Sequence, residues 1–141
     1  MPDINMKVED VMQTSIHMVS GLATVREAIV EMKQIGVSAL IIERRDESDE
    51  YGIVSVEQIA TKVIAQDRSV DRVSVYEIMD KPILTLNPHM AVKYAIRLLA
   101  RFDSRRALVV DENGARGLVT LRELIHVHAE TPASEPVGKD E

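Results

Sequence analysis

The sequence predicts an α/β (α+β) protein of two tandem units, each of order β-α-β-β-α, packed as a pseudo-two-fold pair with a cleft between them. Three observations lead there. Four blocks recur in one order: Val11-Met12 as Ile78-Met79, Val25-Arg26-Glu27-Ala28-Ile29 as Val92-Lys93-Tyr94-Ala95-Ile96, Ala39-Leu40-Ile41-Ile42 as Ala107-Leu108-Val109-Val110, and Gly52-Ile53-Val54-Ser55 as Gly117-Leu118-Val119-Thr120. Their offsets are 79−12 = 67, 95−28 = 67, 107−39 = 68 and 117−52 = 65, so length changes fall only between blocks, where loops belong. Within each copy, a helix-period apolar pattern lies between short β-branched runs. Finally, a three-strand unit of about 50–60 residues buries too little surface alone, and pairing relieves that shortage.

Each copy opens with a short amphipathic turn, Val8, Val11 and Met12 in the first and Val75, Ile78 and Met79 in the second. A brief extended stretch follows, Ile16-His17-Met18-Val19 and Ile83-Leu84-Thr85-Leu86. The first helix then places Val25, Ala28, Ile29, Met32 and Ile35 on one face, with Thr24 and Glu27 as a capping box and Gly36 as its stop. Its counterpart carries Val92, Ala95, Ile96, Leu99 and Phe102. Ala91 replaces the capping threonine there, and Pro88 offers an earlier start. Two apolar runs come next. In the second copy a turn with Asn113-Gly114 joins them, a hairpin signal. In the first copy the connection is the charged stretch from Glu43 to Glu50, expected to be a mobile exposed loop. A second helix closes each copy, with Val56, Ile59, Ala60, Val63 and Ile64, then Leu121, Leu124, Ile125 and His128, facing inward. The expected domain limits are 6–66 and 73–130, with a polar linker at 67–72 and a disordered tail at 131–141.

Composition narrows the function. The chain has 141 residues, 45% hydrophobic and 28% charged, which is a globular balance. Only 3% are aromatic, so the core must be aliphatic. A net charge of −6 opposes binding to nucleic acid or an anionic membrane, and few aromatic rings exist to stack bases. The absence of cysteine excludes disulfides, thiolate zinc sites and cysteine nucleophiles. Met1-Pro2-Asp3-Ile4-Asn5 lacks the apolar core of a signal peptide, and no apolar run approaches the roughly 18 residues of a membrane span. The expected location is the cytoplasm. His126 and His128 stand two apart and cannot share a helix face, which argues against a metal pair. No nucleophile-base ordering or paired-carboxylate spacing points to an enzyme.

The repeated blocks resemble the cystathionine-β-synthase (CBS) domain family in its tandem arrangement, the Bateman module, over about residues 6–130. The resemblance implies a regulatory module rather than a catalyst, with no required cofactor. It implies an adenine-nucleotide ligand such as AMP, ADP, ATP or S-adenosylmethionine, and self-association of pairs into a flat disc. Carried over position by position, Ser55 and Thr120 would contact phosphate or ribose. Gln58 and Glu123 stand where the family often has a ribose-binding Asp, and Gln13 and Asp80 where it often has Thr or Ser; both pairs depart from the pattern. Arg106, preceded by Arg105, matches a phosphate-contacting position that is Ser38 in the first copy. Ile16 and Ile83 would lie against the base.

A plainer reading competes at each position. Ser55 with Gln58, and Thr120 with Glu123, each form a capping box, which stabilises a helix by roughly 1 kcal/mol with no ligand present. Arg105 and Arg106 can be a solvated pair, Arg44 and Arg45 can pair with neighbouring acids, and Met12 and Met79 can be core filler or a soft surface for adenine. Two functions stay open. One is a nucleotide sensor that signals to an unknown effector protein; the other is an interaction and dimerisation module whose clefts no longer bind a ligand. The wide aliphatic faces of the closing helices predict a homodimer in either case.

Overall fold

A computed structural model describes residues 6–130; the expected tail at 131–141 lies outside them. The described chain is a mixed α+β fold with two three-stranded sheets and four α-helices. It divides into two compact bodies. The central unit is Ile16–Ile83, and the composite unit joins residues up to Ser15 to those from Leu84 onward.

In the central unit, β1 (Met18–Val19) runs parallel to β2 (Ala39–Ile42), which pairs antiparallel with β3 (Gly52–Ser55). All four β2 side chains and all four of β3 are buried, as a continuous apolar run requires. Helix α1 (Val25–Ile35) starts where predicted. Thr24 accepts from the Glu27 N–H, Glu27 accepts from the Thr24 N–H, and Gly36 ends the helix at φ 85°, a conformation glycine adopts without strain. Helix α2 (Val56–Ile59) continues into a π turn over Ala60–Ile64, where the Ala65 N–H reaches back five residues to Ala60 O at 2.8 Å. The core is Val25, Ala28, Met32, Leu40, Ile42, Val54, Ile59 and Val63.

In the composite unit, β4 (Thr85–Leu86) is parallel to β5 (Arg106–Asp111), and β5 is antiparallel to β6 (Gly114–Thr120). Helix α3 (Val92–Arg101) begins at Val92 with Ala91 as an uncapped N-cap, so Pro88 does not begin it. Phe102 falls past the end of α3 and is 60% exposed, not on the apolar face as expected, because Asp103 turns the chain at φ 50°. Helix α4 (Leu121–Glu130) buries Leu124 and Val127, while Ile125 and His128 are exposed. The inward face is therefore one position off the expected one. The hairpin turn is Glu112-Asn113, since Asp111 pairs with Gly114, and Gly114 takes φ 106° just after it.

The opening turns exchange copies. Val8, Val11 and Met12 pack in the core of the second repeat with Leu86, Val92 and Leu124. The Val8 N–H donates to Met90 O at 2.8 Å. Val75, Ile78 and Met79 pack instead in the core of the first repeat, where the Val75 N–H donates to Ala23 O at 2.8 Å. The sequence limits 6–66 and 73–130 thus delimit the repeat, whereas the compact bodies are cut elsewhere. The stretch 67–72 packs on α1 within the central unit: Val70 O accepts from the Arg26 N–H at 2.9 Å, and Asp71 pairs with the Arg26 guanidinium.

The charged loop from Glu43 to Glu50 is largely exposed, as expected, and its Asp49 is tied to two cations. The Asp49 carboxylate accepts from the Arg45 N–H at 3.0 Å, from Arg45 Nε at 3.1 Å and from Lys81 Nζ at 2.7 Å. Hydrogen bonds from Arg45, then Lys81, hold that carboxyl well below the usual carboxylate range.

Candidate functional site

In the composite unit the site is built where β6 gives way to α4. Thr120 lies directly opposite Arg106 in the β5–β6 register, which brings the two residues singled out for phosphate contact side by side. Thr120 Oγ1 accepts from the Glu123 N–H at 3.1 Å, and Glu123 Oε1 accepts from the Thr120 N–H at 3.2 Å, a complete capping box. The Leu121 N–H donates to Arg105 O at 2.8 Å. Two of the first three helix amides are therefore already used, which weakens α4 as a bare anion site. Ser104 Oγ donates to Arg106 O at 2.8 Å and fixes the start of β5.

Gln13 completes this group. Its backbone bridges Leu118 on β6 in both directions, at 2.8 and 2.9 Å. Its side-chain Nε2 then donates to Glu123 Oε2 at 2.5 Å. Both carboxylate oxygens of Glu123 are thus engaged. The exchange of opening turns places Gln13 beside Glu123 in the composite unit. Met12, next to it, lies against Gly117, where an added Cβ would stand 2.6 Å from its Sδ.

The central unit repeats the arrangement with different chemistry. Ser55 and Gln58 cap α2 reciprocally, with Ser55 N–H to Gln58 Oε1 at 2.8 Å and Gln58 N–H to Ser55 Oγ at 3.3 Å. Both residues are buried, Gln58 at 9% exposure. The Val56 N–H donates to Ser38 O, as the Leu121 N–H does to Arg105 O. Asp80 occupies the place of Gln13 and bridges Ile53 in both directions, at 2.9 and 3.0 Å. Asp80 therefore lies in the same unit as Ser55 and Gln58, because its turn packs on the first repeat. Ile16 is half-buried just before β1. Ile83 is buried, and its N–H donates to Tyr51 O at 2.9 Å in the central unit. Met79 lies over Gly52 as Met12 does over Gly117.

Sequence reasoning missed the Gln13–Glu123 bond, which spans 110 positions and leaves no local pattern. The repeat itself held the signal, since Gln13 and Asp80 occupy equal places in it. It also missed Lys81 as the clamp on Asp49.

A separate apolar groove lies between α1 and α2 of the central unit. It encloses about 340 Å³ and is lined by Ile29, Met32, Val37, Val56, Ile59 and Ile64. Val56 is 43% and Ile64 57% exposed there. Among the described residues, no helix is long and apolar enough to cross a membrane, and no three His, Asp or Glu side chains cluster as metal ligands.

Comparison with known proteins agrees with this architecture. The CBS domain family model matches twice, at residues 8–65 and 75–130. The CBS domain-containing protein YhcV of Bacillus subtilis is 32% identical over 117 residues, covering 83% of this chain and 81% of that protein. An uncharacterized protein of Methanopyrus kandleri is 31% identical over 106 residues, 74% of this chain but 53% of its own, so the chain spans about half of that relative. Among solved structures, a hexameric CBS-CP12 protein from bloom-forming cyanobacteria superposes with TM-score 0.85 at 32% identity, over 94% of this chain and 75% of that one. The CBS domain pair of protein MJ0100, solved in complex with 5′-methylthioadenosine and S-adenosyl-L-methionine, has TM-score 0.76 at 20% identity over 89% of this chain and 97% of that one, a likeness of fold. Two matches that together cover most of the sequence, on two sheets of the same topology, establish that the chain belongs to the CBS domain family as a tandem pair.

Proposed function

We propose that this chain is a regulatory CBS pair that binds an adenine nucleotide and passes the signal to a separate effector protein, without catalysis of its own. The observation that carries the reading is the composite-unit group: a basic residue, Arg106, opposite a helix-capping hydroxyl, Thr120, with the Glu123 carboxylate one turn on. Cation, hydroxyl and carboxylate match phosphate, ribose and the ribose diol in turn. A structural neighbour solved with adenosine-containing ligands supports the same class, so AMP, ADP, ATP and S-adenosylmethionine are the ligands to test. Calorimetry with AMP tests it. Arg106→Ala should weaken binding by about 1.5–3 kcal/mol, the range for a hydrogen bond to a charged group. Equal affinity in both proteins would remove Arg106 from the site.

A second reading rests on a specific observation. Both capping boxes are complete, and the first amide of each closing helix is already bound to a carbonyl, so these residues have full employment without a ligand. On that reading the pair is an interaction module. Either way, self-association as a homodimer through the α1–α2 groove is the proposed assembly, since Val56 and Ile64 leave apolar surface that one sheet does not cover. The hexameric state of the cyanobacterial neighbour favours assembly in general. Native mass spectrometry of the purified protein separates the readings, because it reports both the oligomer and any retained nucleotide.

A further inference from the structure

A carboxylate that binds a ribose does so by accepting hydrogen bonds from the 2′- and 3′-hydroxyls, which needs lone pairs facing the sugar. Glu123 is already partly committed: each carboxylate oxygen accepts one hydrogen bond and keeps one further acceptor site. Oε1 is taken by the Thr120 N–H and Oε2 by Gln13 Nε2 at 2.5 Å. The two engagements differ in kind. The bond to Thr120 belongs to the helix cap and comes with the fold. The bond to Gln13 is between two side chains, and Gln13 is exposed, so it can open without disturbing the backbone bridge that holds Gln13 to Leu118.

The equivalent pair in the central unit has its chemistry reversed. There the carboxylate, Asp80, is on the bridging segment and the amide, Gln58, on the helix. Gln58 is buried and its Oε1 accepts from the cap, so a ribose would meet no carboxylate at the position equivalent to Glu123. A helix carboxylate held by a removable amide is thus particular to the composite unit.

We propose that Gln13 is a gate on the Thr120–Glu123 site: its amide stands on Glu123 Oε2, one of the two oxygens a ribose diol would bridge, and a vicinal-diol ligand that engages both oxygens competes with it and displaces it. Gln13 is a positioning residue that sets selectivity between ribose and deoxyribose. The proposal rests on the nucleotide reading above.

The test is calorimetry of the full chain with AMP and with 2′-deoxy-AMP, comparing wild type, Gln13→Ala and Gln13→Met. Methionine keeps the reach of the side chain and removes the donor, so it guards against a misfolded alanine variant. Both variants should bind AMP about three- to tenfold more tightly, the span offset by one modest intramolecular hydrogen bond, with little change for 2′-deoxy-AMP. A folding effect alone would move both nucleotides together. If AMP binds wild type and variants equally, binds the variants more weakly, or gains no more than 2′-deoxy-AMP, the gate is overturned while the nucleotide reading stands. If no protein binds AMP at millimolar concentration, the nucleotide reading falls and the gate with it.

Discussion

Gly117 and Gly52 occupy equivalent strand positions, and alanine at each should separate a backbone collision from a side-chain one. At Gly117 a new Cβ would stand 2.6 Å from Met12 Sδ, 2.8 Å from Met12 Cγ and 2.8 Å from Gln13 O. The sulfur can swing aside. The carbonyl cannot, because it accepts from the Leu118 N–H at 2.9 Å. Gly117→Ala must therefore push the Gln13 backbone off β6. Overpacking of this kind costs about 1–3 kcal/mol, and loss of the two bridge hydrogen bonds adds about 0.5–1.5 kcal/mol each. At Gly52 the nearest atoms are Asp80 O at 3.0 Å and Met79 Sδ at 3.2 Å, which a shift of a few tenths of an ångström relieves. Thermal melts should show Gly117→Ala lower by roughly 4–24 °C and Gly52→Ala by only a few degrees, at about 2–4 °C per kcal/mol for a chain of this size. Met12→Ala in the Gly117→Ala background should restore only part of the loss, since the carbonyl contact persists. A Gly117→Ala melt within a degree or two of wild type, or full rescue by Met12→Ala, would refute the backbone argument.

Other perturbations give equally direct readings. Glu123→Gln should leave stability nearly unchanged, since its amide oxygen still accepts from the Thr120 N–H and exposed Gln13 can turn its own amide to accept from the new NH2, while AMP binding by calorimetry falls. Glu123→Asp should cost a few tenths to about 1 kcal/mol of stability in a urea melt, because the shorter side chain reaches the cap poorly. Ile64→Glu places a charge in the α1–α2 groove and should shift sedimentation toward the 15.8 kDa monomer; wild type already sedimenting as monomer at tens of micromolar would end the dimer proposal. Asp49 has a folded carboxyl pKa depressed below its unfolded value of 3.8, so its stabilisation is full above that pH and fades as pH falls through the depressed value. The stability gap between wild type and Asp49→Asn should stay level from pH 7 to about 5 and close only well below 4; a gap that closes near neutrality would show that another group carries it.

The fold was legible because its signals are local and occur twice. Thr24, Glu27 and Gly36 mark both ends of α1 in the sequence, and β2 and β3 announce themselves as apolar runs. The buried face of α3 was read correctly as far as Leu99, with Phe102 lying past the helix end, and in α4 Ile125 is exposed where Val127 is buried. Periodicity gives a direction for a face, and where a helix ends decides which side chains share it. The site was half legible. Thr120 sits inside a repeated block, and Arg106 and Glu123 flank such blocks, so the repeat drew attention to all three. That Gln13 lies beside Glu123, and Asp80 beside Ile53, was not legible, since nothing in a linear pattern says that an opening turn packs on the other copy. The loop from Glu43 to Glu50 was legible as an exposed charged connection, whereas the contact of Lys81 with Asp49 was not, because Lys81 is remote in sequence.

The exchanged turns also dictate an order of assembly. The central unit is one unbroken stretch, so the ribosome delivers all of it before the composite unit can begin to close. That closure must join strands separated by 83−16+1 = 68 intervening residues. As a flexible loop, such a span costs about 4 kcal/mol in chain entropy, and a central unit already folded removes most of that freedom in advance. The same geometry governs dissection. A fragment cut at 16–83 retains Val73, Val75 and Ile78 in its core, whereas one cut at the repeat limits, 6–66, leaves those three places empty and carries a stray apolar turn with no surface of its own. The duplication is written in one register along the chain and folded in another.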